Sequence, residues 1–272
     1  GYTLALGNSA TGGTWSSSTP TVATINPTMG ELTPVTVGTT TVTYTLGTGC
    51  TTTKIITVNT LPADISGPSA VCVGGNITMT CPTTGGFWSA SNASVAGVGA
   101  SSGVVTGVGA GTCVITYTAA TGCFKTATVT VNPPPAAITG SAVVCSGSTT
   151  VLSNATAGGT WSSSATSVAG VAGGTVTGGT AGTATIFYTL PTTCFSSRVV
   201  TVNPLPDAIT GALAGCQGAT GTLSSAPAGG TWSSSNTSIA AIGSSSGVVT
   251  GGTAGTAVIT YTLPTGCFTT AV

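Results

Sequence analysis

Nine cysteines are the residues of this chain with the clearest chemistry, and they keep a regular spacing. Cys72, Cys145 and Cys216 each stand 16 residues before a tryptophan, and Cys123, Cys194 and Cys267 follow them after 51, 49 and 51 residues. Cys50 extends the second series upstream, where its earlier partner would fall just before residue 1, so it is expected to be unpaired in this sequence. Repeated cysteine pairs without histidine or CxxC spacing point to disulfides made in an oxidising exterior, not to a metal site. A disulfide closing a loop of about 50 residues stabilises a small domain by about 4 kcal/mol in the chain-entropy model. Two connectivities are open. Bonds within a repeat would join Cys72 to Cys123, Cys145 to Cys194 and Cys216 to Cys267. A ladder between repeats would join Cys72 to Cys194 and Cys145 to Cys267. The ladder answers a geometric difficulty: the early and late cysteines are expected at opposite poles of a domain, beyond the Cα separation of about 7 Å that a disulfide spans. Cys81 and Cys113 occur in one repeat only, both on inward faces, and a bond between them is the first expectation.

Other chemistry is scarce. The chain has no histidine, and its charges are Glu31, Asp64, Asp207, Lys54, Lys125 and Arg198, for a net charge of zero. Without an imidazole or a carboxylate pair there is no general base and no calcium cage, so no catalytic residue, metal ligand or cofactor is assigned and an enzyme is not expected. Glu31 and Lys54 share one repeat and contain the groups of an isopeptide cross-link, but no other repeat has both; they read as solvated charges. The charge balance offers nothing to nucleic acid or to an anionic membrane surface. Four tryptophans, Trp15, Trp88, Trp161 and Trp232, would make a stacking array for carbohydrate if exposed, but on a sandwich strand a tryptophan fills the core, which is the reading taken. Tyr44, Tyr117, Tyr188 and Tyr261 read as core or corner residues in the same way. The threonine row at 39–48 is read as strand former with a wet hydroxyl face, not as an ice-binding face. The sequons at Asn76, Asn92, Asn154 and Asn236 carry little weight in so Ser- and Thr-rich a chain.

The elements that position these residues recur four times. The tryptophans are 73, 73 and 71 residues apart, each tyrosine lies 27 or 29 residues after its tryptophan, and each late cysteine lies six after its tyrosine. This periodicity is the mark of a tandem array. Apolar residues alternate with Thr and Ser, as in TAVITYT at 256–262 and TATVTVN at 126–132, the two-residue period of half-buried strands. Short strands broken by Gly, Pro and Ser turns at intervals of about ten residues predict an all-β sandwich in each repeat. Linkers fall after Asn59, Asn132 and Asn203, which divides the chain into four tandem immunoglobulin-like β-sandwich domains at 1–60, 61–133, 134–204 and 205–272. Short proline-bearing linkers resist bending. An extended rod is expected, each domain contributing roughly 30–40 Å. No uninterrupted apolar run reaches the roughly 18 residues of a membrane-spanning helix, so membrane insertion is not expected. No signal peptide is visible, as in a mature or trimmed segment of an exported protein.

The run WSSSNTSIAAIGSSSGVVTGGTAGTAVITYT at 232–262 resembles the bacterial immunoglobulin-like domain of group 2, known from surface adhesins of the intimin and invasin type. With the CxG turn, the GC at the last hairpin and the VNPLP linkers, the pattern is similar to tandem repeats of large secreted or cell-surface proteins of Bacteroidetes. The resemblance covers the whole chain and implies an extracellular or cell-surface location and, most often, a spacer; the paired cysteines depart from the simplest form. The first domain begins inside its second strand and the fourth stops inside its last. Either the segment is part of a longer array or neighbours complete its ends by strand pairing. The expected function is structural, the shaft of an extracellular filament, stalk or adhesin, with copies of the chain as partners. The alternative is an adhesin module whose loops bind a surface glycan or a host protein.

Overall fold

A computed structural model describes residues 3–272, and among them it contains strands and turns but no helix. The chain divides into two units, Gly1–Asn132 and Pro133–Val272. Each unit contains two of the sequence repeats, numbered one to four here.

Repeat three is the fullest example. One four-stranded sheet has the order Val143–Cys145, Phe195–Asn203, Gly182–Thr189, Thr160–Ser163; the other has Thr139–Gly140, Thr149–Ser153, Thr175–Gly178, Ala169–Ala172. The long hairpin of Gly182–Thr189 and Phe195–Asn203 is antiparallel over eight residue pairs. The first strand of that sheet, Val143–Cys145, instead lies parallel to the last, with Cys145 level with Asn203. Leu152, Ala169 and Val176 from one sheet meet Ile186, Tyr188, Val200 and Val202 from the other, which makes the fold an immunoglobulin-like sandwich. Alternation supplies this core directly: along Phe195–Asn203 the inward Val200 and Val202 are buried and the outward Val199 is exposed.

Repeat two repeats the plan, with Ala70–Cys72 parallel to Phe124–Asn132 and its own core around Ile115, Val129 and Val131. Repeats one and four carry three-stranded sheets and separate cores. Among the described residues, repeat one has no counterpart of Ala70–Cys72. In repeat four the residues matching Val143–Cys145 form no strand, and the last strand, Phe268–Ala271, is four residues long against nine in Phe195–Asn203. An apolar groove lined by Leu213, Leu223, Ile239, Val249 and Ile259 lies open there. In repeat three the corresponding space is filled by Val200 and Val202.

Candidate functional site

The early cysteine of a repeat is held by a preformed turn. Ser148 N donates to Cys145 O at 3.0 Å and Gly147 N to Gly178 O at 2.7 Å, and Gly147 adopts φ +76°, a conformation that requires glycine in the CxG signature. The late cysteine ends a tight hairpin loop, in which Leu263 N donates to Cys267 O at 2.8 Å and Gly266 N to Leu263 O at 2.9 Å. Cys145 of repeat three and Cys267 of repeat four form a disulfide with Cα atoms 5.6 Å apart. Its Cys267 end is fully buried, and Leu205 and Phe268 flank the junction. The bond therefore spans two successive sandwiches beside the Pro204–Pro206 linker. Cys72 and Cys194 are also disulfide-bonded.

Pairing within a repeat is corrected by strand register. Cys145 lies level with Asn203, whereas Cys194 precedes Phe195 at the other end of the same strand. Eight steps of about 3.3 Å place them more than 25 Å apart, several times the reach of a disulfide. Cys123 and Cys216, expected as disulfide candidates, have free thiols, as does Cys50. Cys216 is exposed in a turn whose equivalent in repeat three bonds to the following repeat, and repeat one, which precedes Cys123, contains no cysteine besides Cys50.

The expected Cys81–Cys113 bond is absent, and both thiols are free. Cys113 lies near the start of Gly111–Thr118, where its Sγ is 3.6 Å from Ser91 Oγ and from Asn92 O. Cys81 sits at the opposite pole, with its Sγ 3.4 Å from Ala63 O. The repeats give each a separate role. Thr40 occupies the position of Cys113 in repeat one and bonds Ser17 Oγ at 2.8 Å. Asn154 and Ser225 occupy the position of Cys81, and they donate to Ala136 O and Asp207 O at 2.6 and 2.7 Å. Cys81 is thus a tether to the linker carbonyl and Cys113 a small core residue. Their shared appearance in repeat two was a coincidence of composition that spacing could not separate from pairing; comparison of the equivalent positions would have done so.

Each tryptophan packs on the tyrosine directly across from it. Ring centroids are 4.6 Å apart for Trp15–Tyr44, 4.9 Å for Trp88–Tyr117, 4.8 Å for Trp161–Tyr188 and 4.6 Å for Trp232–Tyr261. Trp88 and Trp232 are buried, and Trp15 and Trp161 are half-buried. Each of these four tyrosine hydroxyls is bonded on both sides: Tyr188 accepts from Gly159 N at 2.8 Å and donates to Thr156 O at 2.7 Å. The same pair of bonds holds Tyr44 to Gly13 and Ala10, Tyr117 to Gly86 and Thr83, and Tyr261 to Gly230 and Pro227. The hydroxyls are satisfied within the fold and the rings pack on one another, so these four pairs are parts of the sandwiches' cores.

The charges do not converge. Lys125 Nζ meets Asp64 Oδ1 at 2.7 Å on the surface, and this hydrogen bond, with the lysine charge, lowers the pKa of Asp64. Arg198 donates to Ile138 O at 2.7 Å. Glu31 and Lys54 are exposed on different sheets of repeat one. Among the described residues no three His, Cys, Asp or Glu side chains come together to hold a metal ion.

No protein-family model matches the sequence, and no curated protein matches it. Solved structures to which the chain shows similarity include domains 4 and 5 of the S-layer protein SbsC, 20% identical, covering 53% of this chain and 99% of that one with a TM-score of 0.27. A 282-residue C-terminal fragment of intimin, solved with the intimin-binding domain of the translocated intimin receptor, is 18% identical over 51% of this chain and 59% of that one (TM-score 0.28). Drosophila N-cadherin EC1-4 is 13% identical over 98% and 92% of the two chains (TM-score 0.25).

Proposed function

We propose that this chain is a structural repeat segment of an extracellular filament, stalk or adhesin shaft, built as four immunoglobulin-like domains at 1–60, 61–133, 134–204 and 205–272 and associating with copies of itself. The observation that carries this reading is the Cys145–Cys267 disulfide. A bond between successive domains adds nothing to a binding loop, but it restricts bending and separation at a short linker, which is what a load-bearing shaft needs. Four separate hydrophobic cores support the domain division. Disulfides favour an oxidising, extracellular location. The near-identical build of the repeats also fits a shaft, since a recognition tip differs from its stalk.

Electron microscopy of the purified chain, concentrated under oxidising conditions, tests the reading. Fibrous or end-to-end assemblies are expected. Monodisperse single molecules over the whole concentration range would count against self-assembly, and saturable binding to a glycan array would favour an adhesin module instead.

A further inference from the structure

Tension applied across the unit Pro133–Val272 has two routes through it. One follows the polypeptide throughout. The other leaves it at Cys145, crosses the disulfide and resumes at Cys267, 122 residues further along the sequence. We propose that the second route is the one that carries load: residues 136–145, the Cys145–Cys267 bond and residues 267–272 form a covalent tension line through repeats three and four, and residues 146–266, with most of both sandwiches, stay unloaded. The proposal deepens the shaft reading, on which it rests for the source of the tension, by naming where that tension runs.

The first part of the line is nearly taut as folded. Asn154 Nδ2 donates to Ala136 O at 2.6 Å and to Ser196 Oγ at 3.2 Å, which ties Ala136 to the start of the last strand of repeat three. Farther on, Arg198 Nη1 donates to Ile138 O at 2.7 Å. Val143 then lies level with Thr201, and Cys145 with Asn203. Residues 136–145 therefore run beside Phe195–Asn203 for almost its whole length, which is about 23 Å from Ser196 to Asn203. Fully extended, residues 136–145 reach at most about 32 Å, so only about 9 Å of slack remains.

The second part has still less slack. Phe268–Ala271 is a strand paired with Ile259–Thr262 over its whole length, and a strand is already close to full extension. Tension that enters at Cys267 and leaves at Val272 runs along this strand and does not peel it from its partner. Without the disulfide, the same tension must leave repeat three through Asn203. It then pulls Val143–Cys145 and Phe195–Asn203 in opposite directions. What resists is a short parallel ladder, flanked by Ser146 N donating to Asn203 O and Thr201 N to Ala142 O, both at 2.9 Å. Such hydrogen bonds, each contributing little net, give way long before a covalent bond does. The bond is also shielded, because its Cys267 end is fully buried and an attacking thiolate needs access to sulfur.

The test is a single-molecule extension measurement on the whole chain, with one handle on a non-natural residue at exposed Pro134 and the other after Val272. In the absence of reductant the wild type should end about 400 Å shorter than the double variant Cys145→Ser, Cys267→Ser, since the bond closes a loop of 122 residues. The variant should show whole-repeat unfolding steps that the wild type lacks at the same force. Should the variant fail to fold, wild type held under load in excess dithiothreitol gives the same comparison. The dithiol supplies two electrons and two protons and closes to its own disulfide, the protein S–S bond becomes two thiols, and the tether should lengthen by about 400 Å.

A second arm asks whether residues 146–266 are spared. Wild type is exposed to thermolysin with and without a force that opens the variant, and reductant is added afterwards: an intact loop lengthens, whereas a nicked loop parts the tether. The nicking rate should agree within about threefold between the two conditions, because proteolysis follows the population of opened chain. Equal final extensions of wild type and variant, or faster nicking under load beyond that margin, would overturn the proposal. Fibres in the microscope together with equal extensions would remove the tension line and leave the shaft reading standing. Single molecules in the microscope together with the short wild-type extension would remove self-assembly and leave the tension line.

Discussion

At the scale of single residues, the four repeats act as internal controls. The hairpin loop before each late cysteine places Gly49, Gly122 and Gly266 at φ +86°, +83° and +85°, but repeat three has Thr193 there at φ +68°. A β-branched residue in the left-handed region is strained by roughly 1–2 kcal/mol, part of which glycine's greater unfolded-state entropy would offset. Thr193→Gly should therefore stabilise the unit Pro133–Val272 by about 1 kcal/mol, read as a shift in the chemical unfolding midpoint at constant slope. The opposite outcome is expected at Gly159, where an added Cβ would lie 2.5 Å from the Tyr188 ring. Gly159→Ala should destabilise by about 1–3 kcal/mol through overpacking, and a midpoint within error of the wild type would refute that account. The GGTW signature was legible in the sequence as a turn before a core tryptophan. Its closer reason, a backbone pressed against a tyrosine some 29 residues away, depends on a cross-strand contact that local pattern does not encode. Cys81 and Cys113 show the same limit, since their inward faces could be read from alternation but the pole of the sandwich each occupies could not.

At the scale of strands and sheets, the long hairpins were legible because apolar residues alternate with Thr along much of their length, as in TATVTVN at 126–132. The parallel pairing of Val143–Cys145 with Phe195–Asn203 was not, because three residues carry no periodicity strong enough to choose a neighbour. That pairing decides the cysteine connectivity, since it carries the early cysteine to the far end of the last strand. Its consequence is measurable. Cys145 and Cys267 are 122 residues apart. A loop of that size corresponds to about 5 kcal/mol in the chain-entropy model. The double variant Cys145→Ser, Cys267→Ser should lower the unfolding free energy of Pro133–Val272 by about 2–5 kcal/mol and allow repeats three and four to unfold in separate steps. A single unchanged transition would show that the bond adds little to coupling. Repeat four supplies a complementary case, because the positions matching Val200 and Val202 lie beyond Val272 and its groove is open. Extending the chain with Val-Thr-Val-Asn, the residues that follow Val199 in repeat three, should close that groove. Burying two valines there should stabilise repeat four by about 3 kcal/mol, and hydrogen exchange should show new protection at Ala212–Cys216 as those residues gain a parallel partner. Continued rapid exchange at those amides would mean that the groove does not accept the strand.

At the scale of the whole molecule, the governing fact is that 272 residues carry six formal charges that sum to zero. Most soluble proteins of this size are roughly a quarter charged and rely on like-charge repulsion to stay apart. Here that repulsion is nearly absent, and Thr, Ser and Gly keep the surface hydrated without it. In the proposed shaft, contacts between copies would come from exposed apolar residues such as Leu205, Leu213 and Phe268 and from backbone groups. Such contacts do not respond to ionic screening, whose range shrinks from about 30 Å at 0.01 M salt to about 3 Å at 1 M. Self-association, measured by sedimentation in reductant so that no cross-link contributes, should change by less than about threefold between 0.02 and 0.5 M sodium chloride. An interface built on complementary charge would weaken tenfold or more over the same range. Sulfate should act in the other direction: by strengthening effective apolar burial it should promote assembly at concentrations where chloride has no effect. Steep dissociation with rising chloride would place the contact at the few charged residues, with Lys54, Lys125 and Arg198 the first to substitute.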